Sequence, residues 1–518
     1  MHVEHIPLEG IGQFSGLFLD YLQPKEALRP FYQAYPTVDN FKGLLEARAF
    51  PAEKREALRN VLREQYAAYP PLVHTQIDSL RRENTYTVTT GHQLNIFGGP
   101  LFLVYKLVTV INLAKRLQEA YPGYHFVPVY WMATEDHDFE EISYFRLFGQ
   151  KHTWQTGQTG AVGRMNPREL ERVLAQLGHK LPAFEKAYLQ HDTLAAATRS
   201  WVHELFGDQG LLCLDADAPA LKTHFRDVIR EDVFRQRTFR EVNRTVADLE
   251  ARGYKTQVNP REINFFYLHG RLRERIVPQG DGFAVLNTEV SFTAAEMEDL
   301  IQRHPERFSP NVMLRPVYQE TILPNLAYVG GPAEVAYWLQ LKGIFEASRV
   351  PFPALMPRNF ALVIDKNNAR KLGSLCLPVQ DYFLDETHLK RNYIACSVAD
   401  PVGVADEKAL LVQAFGALRD KAVGLDRTLD GFVGAQRQRV LHILDHVEKR
   451  LKRAEEKNQA EGIAKLLSVK HSLFPGNGLQ ERTDSFLNFY LHDPRFLEKL
   501  LATFDPFDFR FYVLTPDE

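Results

Sequence analysis

The densest group of ionisable side chains in the sequence follows the apolar run of "PVYWMATEDHDFEE". Four such groups at the end of a buried strand are costly to place there for packing alone. Carboxylates would suit recognition of a substrate amine, and a histidine, which ordinarily titrates near neutral pH, would suit proton transfer. We therefore predict two catalytic residues, Asp136 and His137, and two substrate-binding residues, Glu135 and Asp138.

Two other interpretations of this acidic loop stay open. It could be a solvated turn in which Asp136 or Asp138 caps the next helix. It could also be a divalent metal cluster, since histidine and carboxylates are metal ligands. Consecutive residues cannot all face one ion, however, and the sequence shows no second His/Asp cluster with ligand spacing. We therefore predict no metal site.

A second polar corner interrupts "TVTTGHQLNIFGGPLFLVYK", where a β-branched run gives way to an apolar helical pattern. It matches neither the dinucleotide fingerprint nor the P-loop. It is either a tight strand-to-helix turn or an anion site at the N–H groups of the helix N-terminus. We predict the anion site, with His92 as a catalytic residue. The predicted binding residues are Gly91, Gln93 and Asn95, and also Gly98 and Gly99, which would permit close backbone approach.

A third corner repeats Gly-Gly-Pro before a helix in "YVGGPAEVAYW", downstream of "SPNVMLRPVYQETILP". A glutamate in the first helical turn is explained by the helix dipole alone, but an inward one could hold an ammonium. A lone arginine suits a carboxylate or phosphate, although a core ion pair is an equal alternative. The predicted binding residues are Asn311, Arg315, Gln319, Gly330, Gly331, Glu334 and Tyr337, whereas Arg271, Arg273 and Arg275 of "HGRLRERI" are predicted to lie on a solvated face.

All three corners follow predicted strands that alternate with helices. The strands are predicted at about 85–91, from its β-branched residues, and at about 125–132, 211–215 and 326–330, with another in "RNFALVIDKN"; the run at 125–132 is continuously apolar. Continuous hydrophobicity indicates burial on both faces. The alternation indicates an α/β fold with a doubly wound parallel sheet, in which ligands bind outside the carboxyl ends of the strands. Segments at about 145–205 and 235–310 break the alternation and are predicted to be insertions.

After about residue 406 the pattern changes to apolar residues in steps of four and three, at Leu411, Phe415, Leu418 and Ala422 and then at Val440, Leu444, Val447, Leu451 and Ala454. This pattern predicts a protruding antiparallel coiled-coil hairpin that self-associates. A helix pair lying on the core is the alternative. We predict a Rossmann-like catalytic core at 1–384, a coiled-coil dimerisation domain at 385–470, and a segment at 471–518 that returns to the core and ends in an edge or closing strand, "FRFYVL".

Composition excludes several classes of protein. The 62 lysines and arginines against 65 aspartates and glutamates leave a net charge of −3, without the basic stripe that nucleic-acid binding requires. Cys213, Cys376 and Cys396 lack C-x-x-C neighbours, which argues against a disulfide framework or a thiolate zinc site. The sequence shows no signal peptide and no apolar run of about 18 residues. We expect a cytoplasmic protein that binds neither nucleic acid nor membrane.

The stretches "TTGHQLNIFGGPLFLVYK", "PVYWMATEDHDFEEI" and "NVMLRPVYQETILPNLAYVGGPAEVAYWLQL", followed by the coiled coil and "LFPGNGLQER", together resemble the BshC family, the cysteine ligases of bacillithiol biosynthesis. The resemblance covers essentially the whole chain. It implies a Rossmann-type core similar to class I aminoacyl-tRNA-synthetase-like nucleotidyltransferases, and a homodimer made through the coiled coil.

The reaction that this resemblance implies is the addition of L-cysteine to glucosaminyl-malate through an amide bond. Such a bond needs an activated carboxylate, for which ATP or another nucleotide, with Mg²⁺ accompanying it, is the expected source. The sequence contains no H-x-G-H pair and no K-M-S-K-S loop, so adenylation and phosphorylation both stay open.

Two alternative functions remain at this point. The first is a coiled-coil dimer that binds a nucleotide or sugar as a scaffold, without catalysis of its own. The second is a metal-assisted hydrolase that uses the "EDHD" loop.

Overall fold

The structure, a computed structural model, describes residues 1–397 and 403–516. The chain forms two compact units. The sheet unit consists of Glu4–Leu362 and Gln480–Val513, and the helical unit consists of Met1–Val3, Val363–Leu479 and Leu514–Glu518. The compact units therefore divide near residue 362, whereas the sequence pattern places the boundary after residue 384.

Five parallel strands form the central sheet of the sheet unit. In chain order they are β1 (Thr85–His92), β2 (His125–Met132), β3 (Leu212–Asp215), β4 (Asn325–Gly330) and β5 (Ala354–Pro357). Their order across the sheet is β5-β4-β1-β2-β3. The strands are buried along almost their whole length, as the continuous apolar character of β2 predicts for that strand. The predicted Rossmann-like, doubly wound fold is confirmed.

Strand β1 is rich in threonine, yet its polar side chains are satisfied inside the sheet. The hydroxyls of Thr87 and Thr89 donate to Asn325 Oδ1 at 3.1 and 2.8 Å, and that of Thr90 donates to the Val329 carbonyl at 2.8 Å. Because buried hydroxyls are costly only when they lack partners, β-branched threonine serves here as a core residue.

The strand predicted in "RNFALVIDKN" is present at Phe360–Val363, but its predicted place in the central sheet was wrong. The fifth strand of the central sheet is β5, and Phe360–Val363 belongs to a separate three-stranded sheet, in which Phe511–Thr515 is the central strand rather than an edge. The two strands are separated by Arg358 and Asn359. The side chain of Arg358 pairs with Glu481, and the Asn359 N–H donates to Thr109 Oγ1 at 3.0 Å instead of to a neighbouring strand.

Two helices follow the neighbouring strands β1 and β4 of the central sheet. Helix α1 (Phe102–Ala120) connects β1 to β2, and helix α2 (Pro332–Leu339) follows β4. The other helices of the sheet unit are Gly16–Leu22, Asn40–Ala47, Ala52–Gln65, Pro71–Ser79, Phe139–Ile142, Glu171–Gln176, Pro182–Gln190, Leu194–Phe206, Pro219–Lys222, Arg226–Arg235, Arg237–Ala251, Ala294–Arg303, Leu314–Ile322, Lys342–Ala347, Leu487–Tyr490 and Phe496–Thr503.

The two segments that break the strand–helix alternation carry small antiparallel sheets of their own. The first contains the hairpin Tyr144–Leu147 and Gln150–Thr153. The second contributes to a five-stranded sheet in the order Ser291–Thr293, Gly282–Val285, Leu272–Gln279, Phe265–His269 and Phe308–Pro310. This second sheet matters for function because it supplies Arg273 to the site.

The helical unit contains the predicted coiled coil. Its helices are Lys366–Leu372, Glu386–Ser397, Ala405–Leu425, Leu429–Asn458 and Ala460–Leu473. The two longest pack side by side and antiparallel, with Lys408 paired to Asp445 and Glu448, each at 2.7 Å. Neither of these two helices has a buried residue, so their apolar seam is only partly covered.

The cysteines do not follow the expectation drawn from their spacing. Cys376 and Cys396 form a disulfide, and Cys213 is a buried free thiol. Helix Glu386–Ser397 brings the Cα of Cys396 to 6.1 Å from that of Cys376, within the range that disulfides span. Their separation of 20 residues gives no sign of this pairing. Across residues 1–397 and 403–516, no helix is long and apolar enough to cross a membrane.

Candidate functional site

The candidate site is a cavity of about 920 Å³ at the carboxyl edge of the central sheet. The chain runs outward from β1 to β3 on one side and then returns to place β4 on the other side of β1. The strand order therefore reverses between β1 and β4, and ligands of open α/β sheets bind at such a reversal. All three predicted corners reach this cavity, which is lined by Gly91, His92, Gln93, Glu135, Asp136, His137, Asp138, Asn311, Arg315, Gly331, Glu334 and Tyr337 among others.

The remaining predicted residues, Asn95, Gly98, Gly99, Gln319 and Gly330, are not among the lining residues. Gly98 and Gly99 have positive φ angles of 76° and 55°. A Cβ at Gly98 would lie 2.9 Å from the Phe486 ring, and one at Gly99 would lie 2.4 Å from Asn95 Cβ. These glycines thus serve a tight turn and close packing within the protein, and the reason predicted for them, close approach to a ligand, was wrong.

The start of α1, where an anion site was predicted, is in contact with another segment of the protein. The backbone N–H of Leu101 donates to the Asp484 carbonyl at 2.7 Å, so a protein segment covers this helix end. At the start of α2, the Gly331 N–H donates to Glu334 Oε2 at 2.8 Å. The helix N-terminus therefore binds a carboxylate of its own chain.

Glu334 is the acidic half of a buried ion pair with Lys106 of α1, and their side chains are 24% and 2% exposed. Lys106 also donates to the Gly91 carbonyl at 2.9 Å, and the Tyr328 hydroxyl donates to Glu334 at 2.7 Å. Burial alone would raise the pKa of Glu334, but Lys106 and the two hydrogen bonds lower it to about 2. Glu334 is therefore a fixed anion already neutralised by Lys106 rather than a free site for a substrate ammonium.

His92 lies against the Phe102 ring at 5.0 Å and beside the Lys106–Glu334 pair. Burial and the nearby charge of Lys106 lower the pKa of His92 to about 3. Its Nε2 is buried and has no hydrogen-bond partner among the described residues. His92 is therefore a neutral hydrogen-bonding group at physiological pH and not an acid that can supply a proton.

Two arginines present unpartnered donors next to this pair. Arg315 Nη1 donates to Gln319 Oε1 at 2.9 Å, and its guanidinium lies 5.5 and 5.9 Å from the rings of Tyr328 and Trp131. Arg358 is held by Glu481, with Nη1 donating at 3.0 Å. Within the described chain, Arg315 Nη2 and Arg358 Nε are buried without a hydrogen-bond partner. Because buried donors are normally paired, both groups fit a bound anion.

The predicted binding residue Gln319 does not line the cavity but contacts Arg315, which does. It accepts from Arg315 and donates to Glu320 Oε1 at 2.9 Å, and Glu320 also forms an ion pair with Arg48 at 3.5 Å. This buried chain of contacts fixes the orientation of Arg315. Asn311 is a structural residue as well, because its side-chain oxygen accepts from the Met313 N–H at 3.0 Å at the start of helix Leu314–Ile322.

The acidic loop also lines the cavity. Gln93 Nε2 donates to Asp136 Oδ2 at 2.9 Å and to Glu141 Oε2 at 2.7 Å. Burial would raise the pKa of Asp136, but the hydrogen bond from Gln93 and the charge of Arg273 lower it. Asp138 caps the short helix Phe139–Ile142, so one alternative drawn from the sequence holds for this residue.

Arg273 corrects the prediction of a solvated face. It is only 9% exposed, donates to Ser309 Oγ at 3.0 Å and stacks 4.0 Å from the Phe266 ring centre. It also contacts Asp136 and His137. Burial and the charge of Arg273 lower the pKa of His137, which favours the neutral imidazole.

Sequence reasoning missed Lys106, Arg273 and Arg358, which carry much of the positive charge of the cavity. A signal existed for two of them, since each is a lone cation inside an apolar run, "FLVYKLVTVI" and "ALMPRNFALV". Such an ion is rarely fully buried unless it is paired. In the described ranges, no group of three or more His, Cys, Asp or Glu residues is arranged to hold a metal ion.

The fold and the cavity define a Rossmann-like α/β protein with a ligand site at the reversal of strand order and an appended coiled coil. Residues 1–359 match the family model of the N-terminal Rossmann-like domain of bacillithiol biosynthesis BshC, and residues 361–516 match that of its C-terminal coiled-coil domain. The chain belongs to the BshC family.

Relatives across several bacteria share the full length of the chain. The protein named "Putative cysteine ligase BshC" of Cytophaga hutchinsonii is 41% identical over 510 residues, covering 98% of each chain. That of Flavobacterium johnsoniae is 40% identical over 530 residues, covering 99% of this chain and 100% of the relative. That of Salinibacter ruber is 30% identical over 524 residues, covering 95% of each. Their names describe ligases that use cysteine, so the family is one of enzymes.

Proposed function

We propose that this protein is a ligase that joins L-cysteine to glucosaminyl-malate through an amide bond and so forms bacillithiol. The observation that carries the proposal is that one cavity holds both unpartnered cationic donors and carboxylates. The donors belong to Arg315 and Arg358, and the carboxylates belong to Glu135 and Asp136. A substrate that carries carboxylates at one end and an amine at the other fits this combination.

Arg315 and Arg358 would bind the malyl carboxylates. Arg315 Nη2, Arg358 Nε and the His92 ring are the donors that such a group would satisfy. A carboxylate that binds there would gain charge-assisted hydrogen bonds from Arg315 Nη2 and Arg358 Nε. The amine would then point to the acidic loop, where the pKa of Asp136 is low enough for the carboxylate to stay ionised.

A nucleotide would supply the activation of the cysteine carboxylate, by adenylation or by phosphorylation, and Mg²⁺ would accompany its phosphates. The unpartnered donors of Arg315 and Arg358 fit an anionic group of this kind as well as they fit malate. Gly98 and Gly99 do not fit a phosphate cradle, since protein side chains fill the space beside them. The chain's own residues would bind, orient and shield the reactants.

The coiled coil supports the further proposal of a cytoplasmic homodimer. Its two long helices expose large apolar side chains, including Leu418 at 52%, Phe432 at 62% and Ile443 at 60%. An exposed apolar seam of this kind favours association with another helical surface. A second copy of the chain is the partner that we propose.

One assay tests the function. Purified protein is incubated with glucosaminyl-malate, cysteine and ATP, while the thiol product and the release of AMP or ADP are followed. We expect thiol product, with AMP indicating adenylation and ADP indicating phosphorylation. Arg315→Met should lower the rate through weaker binding of glucosaminyl-malate. The control is Arg303→Met, whose side chain is 73% exposed and lies outside the cavity lining.

Two outcomes would favour the alternatives. Absence of product with every nucleotide, together with retained binding of glucosaminyl-malate, would favour a scaffold. Release of cysteine or malate from bacillithiol by the protein, abolished by a chelator, would favour a metal-assisted hydrolase at the "EDHD" loop. The scaffold also predicts that His92→Ala, Asp136→Ala and His137→Ala leave thiol production in cells unchanged.

A further inference from the structure

Glu135 differs from Glu334 and Asp136, the other two carboxylates discussed above, because only one of its two oxygens accepts a hydrogen bond from the protein among the described residues. Its Oε1 accepts from Lys222 at 2.6 Å. Within the described residues, its Oε2 has no hydrogen bond or ion pair, although the residue lines the cavity. Glu334 and Asp136, by contrast, each bind several donors. Glu135 therefore keeps one oxygen available to a ligand.

Lys222 contacts Glu135 from a buried position outside the cavity lining. Its ammonium also donates to the Phe308 carbonyl at 2.8 Å and lies 4.7 Å from the Tyr318 ring centre. These contacts fix the ammonium against Oε1 of Glu135 and so restrain the carboxylate, while Oε2 is left without a protein donor among the described residues.

The charges around Glu135 act in opposite directions. Burial is the largest influence on the pKa of Glu135 and raises it, as does the charge of Asp217, whereas Lys222 and Arg273 oppose the increase. Together these influences give a pKa of about 7. Arg164, which is paired with Asp217 at 2.7 Å, and Tyr318 also face this group. The pKa values of Glu334 and Asp136 are lowered instead. Glu135 can therefore exchange a proton near neutral pH, where those two carboxylates remain ionised.

We propose that Glu135 is the catalytic group that accepts a proton from the substrate ammonium, and that Lys222 is a positioning residue which orients its carboxylate. This proposal rests on the proposed function, because amide formation requires a free amine. In the step, the ammonium gives one proton to Oε2, which yields an amine and a carboxylic acid. The nitrogen lone pair then forms the C–N bond to the activated cysteine carboxyl carbon. The C–O bond to the leaving phosphate-containing group breaks with its electron pair, and the second nitrogen proton leaves to water.

The test compares the pH dependence of kcat and KM for thiol formation in the wild type, Glu135→Gln, Glu135→Asp and Lys222→Met. In the wild type, the rate should rise with pH as Glu135 loses its proton. Glu135→Gln should lower kcat about 10²- to 10⁴-fold, the range for loss of a positioned base, and should leave KM for glucosaminyl-malate within a few-fold. Its residual rate should follow only the fraction of substrate amine that is already deprotonated.

The other two variants separate catalysis from structure. Glu135→Asp keeps a carboxylate and should recover part of the kcat that Glu135→Gln loses. Lys222→Met removes a charge that lowers the pKa of Glu135, so the rise of the rate should move to higher pH. Glu171→Gln, on an exposed position of helix Glu171–Gln176, is the control and should match the wild type. Thermal unfolding of each variant shows whether it is folded, and Glu135→Asp provides the test if Lys222→Met is not.

The outcomes distinguish the two proposals. If the wild type is active and Glu135→Gln is folded with unchanged kcat and pH profile, the proposed role of Glu135 is overturned. The proposed ligase function is then unaffected. Equal loss of kcat in Glu135→Asp and Glu135→Gln, with an increased KM in both, shows a binding role and also overturns it. A wild type that forms no thiol with any nucleotide overturns both proposals, because no amine then reacts.

Discussion

Replacing Glu334 by glutamine should destabilise the sheet unit by leaving the charge of Lys106 buried without its partner. Lys106 is 2% exposed, and its only other hydrogen bond within the described residues is to the Gly91 carbonyl. Removing one partner of a buried ion pair typically costs about 3–5 kcal/mol. The pKa gives a similar figure, since lowering it from 4.5 to about 2 corresponds to roughly 3 kcal/mol at about 1.4 kcal/mol per pH unit.

The sign of the pH effect follows from the lowered pKa. The stabilisation by Glu334 is fully present above pH 4.5, the ordinary pKa of the group, and is lost as the pH falls toward about 2. Replacing the other partner of the ion pair, Lys106→Met, should lower the free energy of unfolding by less, about 1–3 kcal/mol. Glu334 would still accept hydrogen bonds from Tyr328 and from the Gly331 N–H, and it is 24% exposed.

The assay is urea unfolding followed by tryptophan fluorescence at pH 7. All four tryptophans of the chain, Trp131, Trp154, Trp201 and Trp338, lie in the sheet unit, so the signal reports on that unit. The double variant Lys106→Met/Glu334→Gln should lose less free energy of unfolding than the sum of the single variants, because neither charge is left alone. The control Glu204→Gln removes a carboxylate from an exposed pair with Lys186 and should cost under about 1 kcal/mol. Additive losses, or a Glu334→Gln loss no larger than the control's, would refute the reasoning.

Three further predictions concern the site and the coiled coil. Gly91→Ala should raise KM for glucosaminyl-malate about tenfold without unfolding the protein, since its Cβ would lie 3.3 Å from Tyr328 Oη and 3.4 Å from Arg315 Nη1; an unchanged KM would contradict this. Between pH 7 and pH 5, the free energy of unfolding should fall by about 2 kcal/mol less in His92→Asn than in the wild type. The reason is that the unfolded histidine binds a proton below about pH 6.5, whereas the folded one does so only near pH 3. Equal losses of unfolding free energy in urea would refute this prediction. Leu418→Glu, on an exposed apolar position, should convert the proposed dimer to a monomer in sedimentation experiments, and a dimer that persists at the same concentration would contradict a seam through this position.

The strand ends of the central sheet could be predicted because their chemistry is local. Four of its five strands coincide with predicted β-branched or apolar runs, and each predicted corner begins where a charged or glycine-containing segment follows such a run. Parallel strands bring their carboxyl ends to one edge. Residues from three distant parts of the chain, among them His92, Asp136 and Glu334, could therefore be assigned to one cavity before any distance was known.

The remaining features depend on contacts that no local pattern specifies. Whether a glycine faces a ligand or a side chain is decided by the segment packed against it, and Gly98 meets Phe486, which lies far along the sequence. Arg273 is buried because an inserted antiparallel sheet lays it over Phe266 and the acidic loop. The apolar run from 352 to 364 divides into two strands because Arg358 binds Glu481. Each of these outcomes is a tertiary effect that overrides propensity.

The polar groups of the cavity separate into those already satisfied by the protein and those that are not. Glu334 and Asp136 are held by several donors each and stay ionised, so they set a fixed field in the site. Arg315 Nη2 and Arg358 Nε are fixed by their other contacts but lack partners at these atoms within the described chain. A group held in place before the ligand arrives does not have to reorganise when charge develops nearby. A ligand anion would therefore gain hydrogen bonds at little cost in protein rearrangement, while Glu135, with one oxygen bound by Lys222, remains the carboxylate whose charge can change during the reaction.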